Sequence, residues 1–369
     1  MVISAHPRIP FTLLQQFMKD VFIGVGVPEE DAEISARILI ASDLRGIESH
    51  GVGRLKMYYD RMKNGQHNPV TQFEVIKERA ATALVDGHHG VGMVIGYKAM
   101  NLAIAKAHQF GMGSVAVRNS THFGIDGYYA LMAVKNNMIG MSFTNARPSV
   151  APTFGAKPML GTNPIAFGAP TDEDIPFLYD GATSLIQRGK VEVYDRLNKE
   201  MPDGWVIDQN GRFLNDPAYT LKAMVKDQAS LLPLGGSGEE FSGHKGYGLA
   251  TMVEILSAAL QTANFLHATT GIGVDGKPKP FGLGHFFTAI DIESFTDIAQ
   301  FKQTTGDILR ELRASHKAPG QSRIYTAGEK EYDNEIRLAK EGIMIIPQLQ
   351  REIKAMQQEL GLNQYNFPF

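Results

Sequence analysis

The sequence predicts an α/β layered protein whose flanking segments are mostly helical. Two observations carry this reading. Short β-type runs alternate with helical runs between Ala81 and Phe143, and the stretches on either side read mainly as helices. The chain of 369 residues, 43% hydrophobic and 20% charged, is long enough for two or three packed domains with a large core.

In chain order, the opening segment through Phe17 reads as a first helix. The next spans Pro28 to Asp43, where Pro-Glu-Glu-Asp suits a helix N-terminus and Ala and Ile recur at helical spacing. A loop from Leu44 to Val52 leads to a helix through Arg54, Leu55, Met57, Tyr58 and Met62, closed by Asn64-Gly65. A strand at Ala81–Val85, a helix at Met93–Gln109, a strand at Ser114–Val117, a helix at Tyr128–Lys135 and a strand at Ile139–Phe143 follow. Their alternation predicts parallel pairings. Pro and Gly between Asn145 and Pro170 predict loops that line a site. Beyond them come a strand at Phe177–Asp180, a helix around Ser184–Val193, and a turn-rich excursion at Gly204–Gly211. A flexible loop at Leu234–Glu240 and a Gly-rich lead-in precede a helix at Leu249–Ala263. Gly271–Gly284 reads as a loop, and the remainder as helical with one late strand at Ile343–Ile346.

Composition excludes several functions. A net charge of -3 supplies no basic field for nucleic acid or anionic membranes. The absence of cysteine removes disulfides, thiolate ligands and cysteine nucleophiles. The N-terminus lacks the basic run and apolar core of a secretory signal, and no apolar stretch reaches the roughly 20 residues that span a bilayer. A cytoplasmic protein is expected. The 11 histidines are dispersed without H-E-x-x-H, so no catalytic metal is expected, and G-x-S-x-G is absent.

Three constellations could carry chemistry. His122 follows the strand ending at Val117 and precedes a helix, the edge at which open α/β sheets bind ligands. A histidine there can take a hydroxyl proton as hydride leaves carbon; from position alone, one that caps the helix or closes a turn is the commoner case. Arg45-Gly46, Ser49-His50-Gly51 and Arg54 cluster around a helix entrance, where backbone N–H groups and a guanidinium fork suit a carboxylate, although such residues also serve as caps or solvated surface. Gly243-His244-Lys245-Gly246-Tyr247-Gly248 lets a backbone approach a phosphate beside a lysine, or is simply a flexible lead-in. The dinucleotide fingerprint G-x-G-x-x-G is missing: Gly90 to Gly96 is one residue too long, and Gly24-Val25-Gly26 follows no strand.

These segments, together with Asp43 to Gly51, Asn119 to Tyr129, Gly161-Thr162-Asn163-Pro164, Asp180, Ala182-Thr183-Ser184, Arg188-Gly189-Lys190 and Gly284 to Phe287, resemble in order the type-2 malate/L-lactate dehydrogenase family, which includes ureidoglycolate and sulfolactate dehydrogenases and cyclic-imine carboxylate reductases. The resemblance covers nearly the whole chain. It implies a three-layer α/β/α, non-Rossmann dinucleotide-binding domain at 119–285 and a second, mostly helical substrate and dimerisation domain built from 1–118 and 286–369 with part of the sheet, in a homodimer. It implies hydride transfer between NAD or NADP, NAD the first choice, and C2 of a small 2-hydroxy acid. His122 is then the acid/base, with Ser49, His50 and Arg54 on the substrate side. Ala146, Thr162, Asn163, Pro164, Asp180, Gly181, Ala182, Thr183, Ser184, Lys245, Gly246 and His285 are then cofactor contacts. Gly181 in place of a common methionine, the long Gly235–Ser242 loop and Ala327-Gly328-Glu329 depart from the family pattern. Reduction of a cyclic imine carboxylate is the alternative, and a non-catalytic oligomeric nucleotide-binding protein is a third reading.

Overall fold

Pro28 sets the chain for helix entry, and Glu29, Glu30 and Asp31 in the first turn complement the helix dipole, so the helix runs over Glu29–Leu44. It buries Ala32, Ile34, Ala36, Ile38, Leu39 and Ile40, which make it a central member of the terminal helical layer. The computed structural model describes residues 6–369. In chain order its elements are β1 (Arg8–Ile9), α1 (Phe11–Gly24), α2 (Glu29–Leu44), α3 (Leu55–Lys63), β2 (Glu74–Glu78), β3 (Thr82–Asp86), α4 (Gly92–Phe110), β4 (Met112–Ser120), α5 (Gly127–Val134), β5 (Met138–Thr144), β6 (Ile165–Ala169) and β7 (Phe177–Gly181). They continue as α6 (Arg188–Arg196), β8 (Val206–Asp208), α7 (Pro217–Val225), β9 (Ala229–Leu231), α8 (Gly243–Glu254), β10 (Leu283–Asp291), α9 (Ile298–Ala314), α10 (Glu329–Glu341), β11 (Ile343–Met344) and α11 (Pro347–Leu360).

The main sheet has seven strands in the order β2-β3-β4-β10-β5-β6-β7. Only β3 and β4 pair in parallel; every other neighbour is antiparallel, which corrects the expectation of parallel pairings. The physical reason is β10, which the sequence did not suggest. It inserts between β4 and β5 and runs against both, separating two strands that alternation alone would have made neighbours. Strands β2, β6, β8 and β9 and helix α7 were likewise unexpected. Among these, β2 is exposed at every residue and so shows no two-sided pattern.

Alternate residues of β10 face two helical layers. A Cβ on Gly113, which pairs with Ala289, would lie 2.0 Å from the Ala103 carbonyl of α4, and one on Gly140, also opposite Ala289, would lie 2.5 Å from the Ala130 carbonyl of α5. On the opposite face, a Cβ on Gly284 would lie 1.6 Å from the carbonyl of Ser257, in the π-helical turn Ile255–Ala259 that continues α8. The result is the α/β/α sandwich expected, with α1, α2, α3, α10 and α11 packed outside α4 and α5. A smaller core, centred on Val150, Val191, Val206, Leu231 and Ala250, lies under α6, α7 and α8. The boundaries 118/119 and 285/286 fall within β4 and β10, so any division there leaves one sheet shared.

Candidate active site

His122 occupies the loop between β4 and α5, and the start of α4 pins that loop. The Thr121 hydroxyl donates to the Gly90 carbonyl and accepts from the Gly92 N–H, both at 2.9 Å. Position 92 must be glycine for this approach, since a Cβ would lie 2.2 Å from the Thr121 carbonyl. The neighbouring Phe123 stacks on the ring of His285 at 4.4 Å. One side of the loop is thereby set against the sheet.

The other side meets residues from α3 and the turn before it. His50 stacks against His122 with ring centroids 5.5 Å apart, and its Nδ1 lies 2.8 Å from the Ser49 hydroxyl. Arg54 Nε donates to the Ser49 carbonyl at 2.6 Å, and the rest of its guanidinium fork has no hydrogen-bond partner among the described residues. The turn is held from behind by Asp43, which accepts the Val52 N–H at 2.7 Å and against which Gly51 packs too closely for any Cβ. Burial pushes the Asp43 carboxyl up to about 8, with the Val52 N–H opposing. At neutral pH it therefore sits behind the turn as a protonated acid.

Arg54, Tyr58 and Arg61 are four and three residues apart, so α3 and its lead-in turn them to one side. Tyr58 Oη reaches His122 Nδ1 at 2.5 Å, and Arg61 lies over the Phe281 ring at 4.3 Å. A cleft of about 270 Å³ opens here, lined by His50, His122, Arg54, Arg61, Arg147 and Arg188, with Asp227 its one carboxylate. Its net character is strongly cationic. Burial, followed by the charges of His50, Arg54 and Arg61, holds His122 well below the ordinary histidine value, and burial with Arg54 brings His50 to about 4. Both rings are neutral at physiological pH. Burial likewise lowers Arg61 to about 10.

The expected cofactor residues fall into two groups. Ala146 and Thr162 line the cleft, and behind them Thr183 ties the loops together, its hydroxyl donating to the Thr162 and Asn163 carbonyls at 3.1 and 2.9 Å. Leu234 N–H donates to the Thr183 carbonyl at 2.8 Å, Ser184 bridges to Pro233, and Gly246 packs on the Leu234 backbone, where a Cβ would lie 2.1 Å from the carbonyl. One continuous platform therefore runs from Thr162 through Pro164, Ala182 and Ser184 to the start of α8. Lys245 stands exposed on it and makes no ion pair among the described residues. The Gly243–Gly248 segment forms the first turns of α8, not a lead-in to a helix at Leu249, because Gly243 and Gly246 let those turns lie directly on the loop backbone.

Asn163 is fully buried beneath this platform. Its amide donates to the Ala250 carbonyl and to Glu254, at 3.0 and 2.8 Å, while its Oδ1 is buried without a partner. Asp180 and His285 are placed elsewhere. Asp180, next to Gly181 at the end of β7, accepts the Gly127 N–H at 2.8 Å and lines a separate cavity with Arg45 and Glu331. His285 is fully buried in β10, its ring nitrogens each 2.7 Å from the hydroxyls of Thr144 and Ser120. No group of three His, Asp or Glu side chains among the described residues is placed to hold a metal ion.

Tyr58, Arg61, Arg147 and Arg188 were not foreseen as site residues. The first two carried a signal, since they repeat the helical phase of Arg54; Arg147 and Arg188 lie on loops and a helix start that only the tertiary fold brings round.

His67 extends the row of rings behind the cleft. It is 1% exposed, sits between Tyr58 and Phe281, and has no partner for either nitrogen among the described residues. Burial, then Arg61, lowers it to about 3 from 6.5. The unfolded chain therefore binds a proton first as pH falls, so this contribution to stability is complete above 6.5 and is lost on acidification. Between about pH 6.5 and about pH 5 the loss is roughly 2 kcal/mol. Denaturant titrations of His67→Gln should show a decline smaller by about that amount. Equal declines in variant and parent would show that His67 is not held neutral.

The model of the malate/L-lactate dehydrogenase family matches residues 9–354. Malate dehydrogenase of Pyrococcus abyssi is 45% identical over 357 residues, which are 97% of this chain and 96% of that protein. L-sulfolactate dehydrogenase of Methanocaldococcus jannaschii is 40% identical over 347 residues, 93% of this chain and 94% of that protein. The crystal structure of malate dehydrogenase from Entamoeba histolytica superposes with a TM-score of 0.93 at 43% identity, covering 99% of this chain and 100% of that one.

Proposed function

We propose, from the premise that this chain belongs to the malate/L-lactate dehydrogenase family, that it transfers a hydride between a nicotinamide dinucleotide and C2 of a small 2-hydroxy acid carrying a second anionic group. The observation that carries this reading is a neutral imidazole, His122, facing a cleft with four arginines and a single carboxylate. Such a cleft attracts and orients a dianion.

The nicotinamide, when bound, supplies the hydride to C2 of a 2-oxo acid or takes it up from the 2-hydroxy acid. The free part of the Arg54 fork holds the C1 carboxylate. Ser49 orients His50, whose stacked ring limits the tilt of His122. In reduction, protonated His122 delivers the Nε2 proton to the oxygen on C2 as the hydride reaches carbon; in oxidation, neutral His122 accepts the hydroxyl proton. Arg61, which makes no ion pair among the described residues, faces the distal anion, with Arg147, 3.9 Å from Asp227, and Arg188, bonded to Glu192 at 3.0 Å, beside it. Malate and sulfolactate, named for the relatives, each have such a group beyond C1. Thr162, Asn163, Thr183, Ser184, Lys245 and Gly246 would hold the dinucleotide, NAD before NADP, with Lys245 near its phosphates.

We place the enzyme in the cytoplasm as a homodimer. Leu249, Met252 and Ile255 expose an apolar face on α8, beside a cleft of about 710 Å³ that a second copy would cover. No helix among the described residues is long and apolar enough to cross a membrane.

The test is a panel of oxaloacetate, sulfopyruvate, pyruvate and a cyclic imine carboxylate, each with NADH and with NADPH, followed by nicotinamide absorbance. Oxaloacetate or sulfopyruvate should exceed pyruvate in kcat/KM by about 10- to 100-fold, the worth of one charge-assisted contact. Preference for the imine would replace the C=O reading with a C=N one. No nicotinamide-dependent turnover on any of them would refute both.

A further inference from the structure

We infer that Tyr58 is a positioning residue for the reaction, holding His122 by Nδ1 so that Nε2 faces the cleft in both protonation states of the ring; this rests on the reading of His122 as the proton-transfer residue. Tyr58 Oη lies 2.5 Å from Nδ1, and among the described residues the only other contact to that nitrogen is the Gly124 N–H, at the long distance of 3.4 Å. Nε2 has no hydrogen-bond partner among the described residues, and His122 lines the cleft. One end of the imidazole is anchored and the other is free for a ligand.

A hydroxyl suits this place for a physical reason. The groups around His122 are His50 and Arg54 from the preceding turn, Tyr58 and Arg61 from α3, and His67 beyond it; none is a carboxylate. Asp or Glu at the position of Tyr58 would hold the imidazolium and trap the proton that must move. Tyr58 Oη can accept from Nδ1–H both when the ring is neutral and when it is charged, so Nε2 carries a lone pair in the base form and a proton in the acid form while the ring keeps its orientation. Its own ionisation is blocked, because burial raises the phenol well above the ordinary tyrosine range. Tyr58 is fully buried and wedged between Phe22 and His67, with ring centroids 6.1 Å from each, so its hydroxyl is carried on a locked side chain.

A neutral ring that can take a proton from the cleft at Nε2 carries its own proton on Nδ1, donated to Tyr58 Oη. The alternative, a Tyr58 that only fills space beside α1, predicts no tautomer preference.

The experiment compares parent, Tyr58→Phe and His122→Asn proteins, with His-selective ¹⁵N NMR on the first two. For Tyr58→Phe, kcat should fall about 10- to 100-fold, the range for hydrogen-bond partners that orient a functional imidazole, with KM within about twofold. The parent spectrum should show the Nδ1–H tautomer of His122, and the variant a mixture of both. Unchanged kcat, or an unchanged spectrum, would overturn the role of Tyr58. If His122→Asn retains turnover, the fault lies in the reading of His122 instead; if it is inactive while Tyr58→Phe resembles the parent, only the Tyr58 assignment fails. Should Tyr58→Phe not fold, the parent spectrum decides: one Nδ1–H tautomer supports the anchor, and an Nε2–H or mixed population refutes it.

Discussion

Replacing His122 with Asn should lower kcat by about 10²- to 10⁴-fold, the range for loss of a positioned general acid/base, and leave dinucleotide affinity within about twofold. Asn keeps a hydrogen-bonding group of similar reach but cannot move a proton near neutral pH. As the proposed acid/base, His122 should also set the pH dependence. Burial and the cations around it displace its pKa downward. Oxidation needs the neutral ring, so its kcat/KM should stay level through neutrality and fall only on the acid side of the ordinary histidine value. Reduction needs the imidazolium, so its rate should decline as pH rises through the same lowered pKa. Both profiles require that hydride transfer be rate-limiting, which a deuterium isotope effect on the transferred hydrogen establishes. A limb at or above the ordinary histidine value would contradict the displacement, and an active His122→Asn protein would remove the residue from the chemistry.

Arg54→Gln should reduce kcat/KM for 2-oxo acids by roughly 30- to several-thousand-fold, equivalent to the 2–5 kcal/mol lost when one partner of a desolvated charge pair is truncated. The direction follows from how Arg54 is built in. Its Nε is engaged by the Ser49 carbonyl at 2.6 Å, which fixes the plane of the guanidinium and aims its remaining N–H groups at the cleft. Gln can neither span the same distance nor pair with a carboxylate through two parallel bonds. Dinucleotide affinity, measured by fluorescence titration, should be unaffected. Retention of kcat/KM would transfer the carboxylate to Arg61, Arg147 or Arg188.

The sites of both substitutions were legible before any coordinates because they lie in short segments with strong local signals. His122 follows a β-type run and precedes a helix. Ser49, His50 and Arg54 stand within six residues at a helix entrance, where position and chemistry coincide. The same locality explains what was misread. Tyr58 and Arg61 follow Arg54 in helical phase, yet tyrosine and arginine on a helix usually serve core and solvent. Their meaning arises only when the loop after β4 brings His122 against α3. Arg147, Arg188 and Asp227 come from three separate stretches of chain and meet at the cleft through long-range packing. Asp180 and His285 illustrate the reverse case, in which matching motif positions lie away from the cleft. Asp180 receives the α5 N-terminus, and His285 satisfies both ring nitrogens inside the sheet.

The fold divides in the same way. The sequence by itself determined the helices α2, α3 and α4 and the strands β3, β4 and β5, because each buries one recognisable stripe or run and closes at Gly, Asn or Pro. It also determined, through inventory, the absence of thiol chemistry, and through the ordered motifs, the family. The tertiary structure alone decided the central strand. In β10, Leu283–Ala289 is covered on both faces, so no alternation marks it, and the Gly-rich stretch before it reads as loop. Its insertion between β4 and β5 makes the sheet chiefly antiparallel and places His285 behind Phe123 and His122. Pairing partners are chosen by hydrogen bonds between distant segments, and those bonds leave no trace in local periodicity. The cleft and the Tyr58–His122 contact depend on that choice.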